Sequence, residues 1–278
     1  MKKADLRAPH DLGEIVGYAY RLYARDFVAL FLIAATTIPL QMLRVIVQRS
    51  FDDPTTGQAV ASVFTIPAAL VTLAATAAVV FAVNEIANGA RPEFARSIDA
   101  AFERFVSLLT SSLLAGALAV VTALFAFPFL GIVWLVRRDA TIDGRRDWWM
   151  WLIPGALGLF LIIRWLFVPQ AVMIEDRRNW SALDSSARIV RGRWWRTLGI
   201  MLIVGLIEAG PIGLASITSL APPLVQAITT SVVAAVVLPF ATAAQTLLFY
   251  DLKARKQQAD VIADRVAAAE PDVPRESP

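Results

Sequence analysis

Long stretches of this chain carry no charged side chain, and their lengths set the expected architecture. The first runs from Phe27 to Leu43; Arg44 interrupts, and Val45, Ile46 and Val47 resume the apolar pattern. Pro54 to Asn84 and Phe105 to Val136 are uninterrupted, and each is longer than one span requires. Trp148 to Ile163 is followed by Arg164, and Trp165 to Ile174 continues the apolar run. Thr197 to Ile207 is followed by Glu208, and the longest run of all extends from Ala209 to Tyr250. A helix that crosses a bilayer needs about 20 apolar residues, because lipid cannot satisfy bare backbone groups. The stretch from Thr197 to Tyr250 holds one charge, Glu208, and is too long for one span but right for two. Pro222-Pro223 is the turn, since two prolines cannot continue a helix. The run from Phe105 to Val136 would make a helix of about 48 Å, so it must tilt, kink near Pro128 or protrude. The pattern predicts an all-α polytopic membrane protein with six transmembrane helices, at roughly 27–48, 60–86, 105–136, 148–173, 197–220 and 223–250.

Three segments before spans one, three and five carry apolar stripes at helical spacing. They are Leu12, Ile15/Val16, Ala19, Leu22/Tyr23 and Phe27; then Phe94, Ile98, Ala101/Phe102 and Phe105; then Leu183, Ala187, Val190 and Trp194. Polar faces oppose them, with Glu14, Arg21 and Arg25; Glu93, Arg96 and Asp99; Asp184, Arg188 and Arg191. The pattern predicts three units, each a cytoplasmic amphipathic interfacial helix followed by a two-helix hairpin. Such helices lie in the headgroup plane or pack under the bundle. Residues 1–250 then form a single integral membrane domain, and 251–278 a cytoplasmic polar tail. The tail starts amphipathically (Leu252, Val261, Ile262, Val266) and ends in a proline-rich, charged stretch expected to be disordered.

Composition sharpens this picture. The chain has 278 residues, 57% hydrophobic and 18% charged, with a mean hydropathy of +0.60. An ordinary soluble domain is about 45–50% apolar and about 25% charged. The net charge of +3 reads first as a topology signal. With the N-terminus inside, 19 of the 26 basic residues fall on the inner side and 6 on the outer, while Arg164 is intramembrane. Both termini are therefore expected in the cytoplasm of a bacterium, with the chain in its inner membrane. The charged loop at 137–147 argues weakly against that orientation. Trp134, Trp148, Trp149, Trp151, Trp180, Trp194 and Trp195 sit near expected span ends, where indole prefers the interface. The first apolar run lies behind a polar stretch and exceeds a signal-peptide core, so it is expected to act as an uncleaved anchor.

The fourth inner loop is recognisable. It reads Val168-Pro169, Glu175, then Ser181-Ala-Leu183-Asp-Ser-Ser186-Ala-Arg188-Ile-Val-Arg191-Gly192-Arg193-Trp194-Trp195-Arg196. Leu247-Leu-Phe-Tyr250-Asp251-Leu-Lys-Ala-Arg255 follows near the end, and Leu12-Gly-Glu-Ile-Val-Gly-Tyr-Ala-Tyr-Arg21 opens the chain. In pattern, residues 11 to 255 resemble the membrane domain of bacterial glycerophosphoryl diester phosphodiesterases and the related YciC-like proteins. Asp184, Ser185 and Ala187 depart from that pattern. The resemblance implies a multi-pass membrane protein of largely unassigned function. It does not imply phosphodiesterase chemistry, whose catalytic module is separate and needs several acidic and histidine residues.

Two features stand out as candidate sites. Arg164 and Glu208 are charges inside spans, where each costs about 2.5–3.5 kcal/mol on insertion scales. Their expected depths differ by about 5 Å. They would form either a pair gating a polar cavity or holding an anionic headgroup, or a structural ion pair between spans four and five. Arg164 could also snorkel to the inner face. The cluster of Arg188, Arg191, Arg193, Trp194, Trp195 and Arg196 reads as anionic-lipid contacts, each basic residue contributing about 1 kcal/mol. Gly116, Gly155, Gly158, Gly205 and Gly210 read as close-packing positions. Pro39, Pro67, Pro128, Pro211 and Pro239 read as kinks. Asp52-Asp53 before Pro54 reads as a solvated turn.

Catalytic chemistry is poorly provided for. Cysteine is absent and His10 is the one histidine, which removes disulfides, thiolate metal sites and clustered histidine ligands. No nucleophile elbow, zinc-protease helix or P-loop lysine occurs. Tyr250-Asp251 resembles half of an intramembrane aspartyl motif without its second aspartate. No catalytic, cofactor-binding or metal residue is assigned. The expected role is non-catalytic, as a membrane scaffold or lipid-associated accessory protein. The expected partners are membrane lipids and an unidentified membrane protein, with no nucleic acid and no cofactor. The competing reading is a transporter or permease-like component for a lipidic or amphiphilic solute.

Overall fold

The computed structural model describes residues 11–124 and 152–269. The expectations for His10, the Pro128 kink, the end of the third span, the 137–147 loop with its four flanking tryptophans, and the last residues of the tail lie outside them. The described residues form helices without a strand. In chain order these are α1 (Leu12–Arg25), α2 (Phe27–Ala35), α3 (Ile38–Arg49), α4 (Pro54–Ser62), α5 (Thr65–Ala87), α6 (Phe94–Glu103), α7 (Phe105–Leu124), α8 (Leu152–Arg164), α9 (Val168–Glu175), α10 (Trp180–Val190), α11 (Trp194–Ser216) and α12 (Pro223–Ala269), with a 3-10 turn at Ile217–Leu220. Thr65–Ala87, Phe105–Thr122, Gly155–Glu175, Trp194–Ser216 and Pro223–Ile262 are long and apolar enough to cross a membrane. The pair α2 and α3, bent by 48°, makes a sixth span if counted as one. The protein is an all-α polytopic membrane protein, and the amphipathic helices α1, α6 and α10 each precede an apolar helix as the stripes predict.

Two spans are interrupted, and side chains repair both breaks. At the α2–α3 bend, Pro39 supplies no N–H to the ladder. The Thr36 and Thr37 hydroxyls donate to the Ile33 and Ala34 carbonyls at 2.7 and 2.8 Å. Lipid offers no water to do the same. Between α8 and α9 the chain breaks at Trp165–Phe167. Ser186 of α10, fully buried, donates to the Arg164 carbonyl at 2.9 Å and accepts the Phe167 N–H at 3.2 Å. The amphipathic helix is therefore stitched into the bundle.

The helices α5 and α12 form the centre. About half of each spanning stretch is buried (44% and 56%), against 11% in α7 and 17% in α11, whose flanks are open to lipid. Alanines make the close approaches: Ala75, Ala77, Ala78 and Ala82 on α5, and Ala235, Ala243 and Ala244 on α12, are at most 1% exposed. The glycines expected in that role do not fill it. An added Cβ at Gly116, Gly155, Gly158, Gly205 or Gly210 would meet nothing within 4 Å, because these positions lie on the thinly covered helices α7, α8 and α11. Gly57 is the tight one, since a Cβ there would lie 2.3 Å from the Gln48 carbonyl where α4 folds back on α3.

The amphipathic helices divide between the two placements open to them. α10 packs under the bundle, burying Ala182, Leu183, Ala187, Ile189 and Val190. α1 does likewise through Ile15 and Ala19, which share a core cluster with Leu248 and Leu252 of α12, while its Leu22 joins the neighbouring cluster with α5. α6 buries Ser97 and Ala101 but leaves Phe94 and Phe102 exposed, as an interfacial helix would. At the opposite end, Asp53 caps α4. Hydrogen bonds from the Thr55 and Thr56 hydroxyls, and from their backbone N–H groups, hold its carboxyl well below the usual range. This is the solvated turn the sequence suggests. α12 does not stop at Tyr250: it continues to Ala269, 47 residues or about 70 Å.

Candidate functional site

The charged residues that close the apolar runs meet at the arginine-rich end of the bundle. Glu85 ends the charge-free part of α5, Glu175 ends α9, and Asp251 follows the long run in α12. Similar depth on neighbouring helices lets each find a cation. Asp251, 1% exposed, accepts from Arg196 at 3.2 Å and from Arg255 at 3.0 Å. Arg193 donates to the Leu252 and Arg255 carbonyls at 3.5 and 3.1 Å. Glu175 takes the Lys253 ammonium at 2.7 Å and the Ser185 hydroxyl at 2.6 Å. Glu85 pairs with Arg96 at 3.1 Å, binding α6 to α5. Arg104 donates to the Met173 carbonyl, and the Tyr250 hydroxyl to the Asn84 side-chain oxygen. Tyr23 of α1 donates to the Val236 carbonyl at 2.9 Å, and burial pushes its phenol up to about 12. Removing one member of a buried ion pair leaves an uncompensated charge and costs about 3–5 kcal/mol, so Asp251 holds α11 and α12 in register.

Between α9, α10 and α12 lies a cleft of about 190 Å³. Arg177, Arg188, Lys253 and Lys256 line it, with Glu175, Ser185 and Asp260. The loop from Asp176 to Asn179 carries Arg177 to its rim. Asp176 and Asn179 both have positive φ (52° and 49°), which their short polar side chains tolerate better than most. The Asn179 N–H is held by the buried Ser111 hydroxyl at 2.9 Å, and the Arg177 N–H by the Ala171 carbonyl at 3.1 Å. The loop is thus tied to both α7 and α9.

The expected Arg164–Glu208 pair does not form: no carboxylate oxygen of Glu208 lies within 4.0 Å of Arg164. Arg164 sits where α8 ends, its guanidinium 5.9 Å above the Phe160 ring. Glu208 lies on another stripe, Thr197, Ile200, Val204, Glu208 and Ala215, which is otherwise buried on α11. α11 packs mainly on α12. Similar depth did not mean facing sides. One Glu208 carboxylate oxygen is buried without a hydrogen-bond partner, as are the Ser231 hydroxyl and the Gln226 side-chain carbonyl oxygen on α12.

The basic-aromatic cluster does not form one outward patch. Arg193 and Arg196 turn inward onto α12, because its continuation beyond Tyr250 presents carbonyls and a carboxylate there. Arg188 keeps an exposed pair with Asp184 at 3.2 Å, and Arg191 is exposed. Trp194 stacks on Phe160 at 6.3 Å, while Trp195 meets it edge-on at 4.8 Å and is 79% exposed. Of the cluster, Arg188, Arg191 and Trp195 face outward. The residues missed in the sequence are Asp251, Glu175, Ser186 and the cleft cations Arg177, Lys253 and Lys256. The available signal was acidic residues bordering apolar runs at matching depth.

No curated protein and no solved structure matches this chain. A family model matches residues 25–254, from the last residue of α1 to a point within the extension of α12. With most of its length covered by that match, the chain belongs to the family described as a domain of unknown function (DUF7847).

Proposed function

We propose that this protein is a non-catalytic, lipid-associated accessory or scaffold component of the bacterial cytoplasmic membrane, with both termini inside. The observation that carries this reading is the division of labour at the arginine-rich end. Ion pairs of the buried Asp251 and the partly buried Glu175 tie α9, α11 and α12 together, while Arg177, Arg188, Arg191 and Trp195 face outward at the level of the span ends. That composition suits contact with anionic lipid at an inner leaflet. The resemblance to the membrane domain of glycerophosphoryl diester phosphodiesterases and YciC-like proteins, carried by the Ser186–Arg196 and Leu247–Arg255 segments, fits the same role.

Gentle purification followed by mass spectrometry of co-purifying lipids and proteins tests it. Enrichment of anionic lipid, or one membrane protein in fixed ratio, is the expected result. Recovery of neither refutes the role. The absence of native cysteine makes single-cysteine labelling at Lys2 and Arg265 a direct test of orientation. Both sites should react only when the inner face is opened.

The unpartnered polar atoms of Glu208, Ser231 and Gln226 favour a second reading. They line the α11–α12 hairpin within the membrane, as a solute path of a permease-like component would. Flux of an amphiphilic solute into proteoliposomes, lost in Glu208→Gln with the fold intact, decides for it.

A further inference from the structure

We infer that the cleft between α9, α10 and α12 binds a phosphate group, presented by an anionic glycerophospholipid headgroup or by the corresponding soluble phosphate ester. The inference rests on the lipid-association reading and assigns it a site.

The charge balance of the cleft carries the argument. Of its four cations, Lys253 is neutralised at short range by Glu175. Arg188 is held only by the exposed pair with Asp184, whose side chain is 61% accessible, and exposed pairs of this kind are weak. Among the described residues, no carboxylate lies within 4.0 Å of Arg177 or Lys256. Asp260 lines the cleft as well, so two lining carboxylates, Glu175 and Asp260, stand against four cations, and the concave surface keeps a net positive charge. Arginine and lysine there provide the forked and point-charge donors that phosphate oxygens accept.

Position and size narrow the ligand. Glu175 ends a span, and Lys253 lies just past Tyr250, so the cleft opens at the level where headgroup phosphates sit. At about 190 Å³ it is smaller than the roughly 300–1,000 Å³ of ordinary small-molecule pockets. It takes a phosphate with its polar attachment and leaves acyl chains outside, along the open flank of the bundle. The loop backbone that carries Arg177 is held by Ser111 and Ala171, which keeps the stem of this cation at the rim of the cleft.

The test is calorimetric titration of the full-length protein in detergent micelles. The probes are dihexanoyl phosphatidylglycerol, dihexanoyl phosphatidylcholine and glycerol 3-phosphate. Arg177→Gln combined with Lys256→Gln should weaken phosphatidylglycerol binding about thirtyfold, at about 1 kcal/mol per basic residue. Arg49→Gln, exposed at the opposite end of the bundle, should change it about twofold or less. Unchanged thermal melting of both variants shows that the fold persists, and if the double variant melts early, Lys256→Gln alone should weaken binding about fivefold. Glycerol 3-phosphate binding as tightly as the lipid identifies a soluble ester as the source. Binding of phosphatidylglycerol alone identifies the membrane. The inference is overturned if the double variant binds like the parent, if phosphatidylcholine binds as tightly as phosphatidylglycerol, or if Arg49→Gln costs as much. Anionic lipid that still co-purifies with a silent cleft variant would sink the cleft and spare lipid association. Loss of all lipid binding in the parent protein removes both.

Discussion

Glu208 and Asp251 sit on the two arms of one helical hairpin, and their surroundings are opposite. Asp251 is more deeply buried, yet two arginines and an extensive set of hydrogen bonds surround it. Glu208 is deeper in the span and has one carboxylate oxygen with no partner at all. Depth along the membrane accounts for the difference. Arg193, Arg196 and Arg255 lie near the end of the apolar run, where long cationic stems can reach inward while insertion costs little. No such residue reaches mid-span on α12, the helix against which α11 packs. A charge at a span end thus becomes part of the fastening, whereas a mid-span charge stays available for another role.

Three substitutions test that contrast, in descending order of expected effect. Asp251→Ala strands two arginines and should destabilise the purified protein by about 3–5 kcal/mol, read from denaturant or thermal unfolding in detergent. A loss under about 1 kcal/mol would mean that water, not the carboxylate, neutralises them. Ser186→Ala frees the Arg164 carbonyl and the Phe167 N–H at the α8–α9 break. Two buried groups left unmade should cost about 1–3 kcal/mol, and hydrogen exchange at Phe167 should rise. Unaltered exchange there would show that Ser186 is not the latch. Arg164→Ala and Glu208→Gln should combine with a coupling energy below about 0.5 kcal/mol. A coupling above about 1 kcal/mol in that double-mutant cycle restores the pair that the geometry removes.

Much of the fold was legible because lipid imposes a single strong rule. Uninterrupted apolar length marked the spans, Pro222-Pro223 marked the last turn, and the three stripes marked α1, α6 and α10. The breaks inside spans were less legible. Pro39 suggests a bend, but neither its angle of 48° nor the hydroxyls of Thr36 and Thr37 that bond the Ile33 and Ala34 carbonyls beside it follow from the proline alone. Nothing near Trp165–Phe167 shows that Ser186, two helices further along the chain, completes the backbone there. The glycine expectation failed for a related reason. Small residues permit close approach but do not summon a neighbour, and α7 and α11 have few.

The candidate sites show the same boundary. The sequence holds all four cleft cations, yet Arg177 and Arg188 stand on one side of α11 in the chain and Lys253 and Lys256 on the other. They read there as orientation signals. The continuation of α12 past Tyr250 brings the two sets together, and turns Arg193 and Arg196 from lipid contacts into internal tethers.

By itself, then, the order of residues determined that this chain inserts in a membrane as helices, how many times it can cross, and where its amphipathic segments fall. These follow from one-dimensional apolar length and from the need to satisfy backbone hydrogen bonds within each segment. The tertiary structure alone decided which charges meet. Partnering depends on the rotation of each helix about its axis and on its neighbours, and two side chains at one depth can face opposite ways. That is why Arg164 and Glu208, matched in depth, stand apart, while Asp251 and Arg196, 55 residues apart in the chain, are joined.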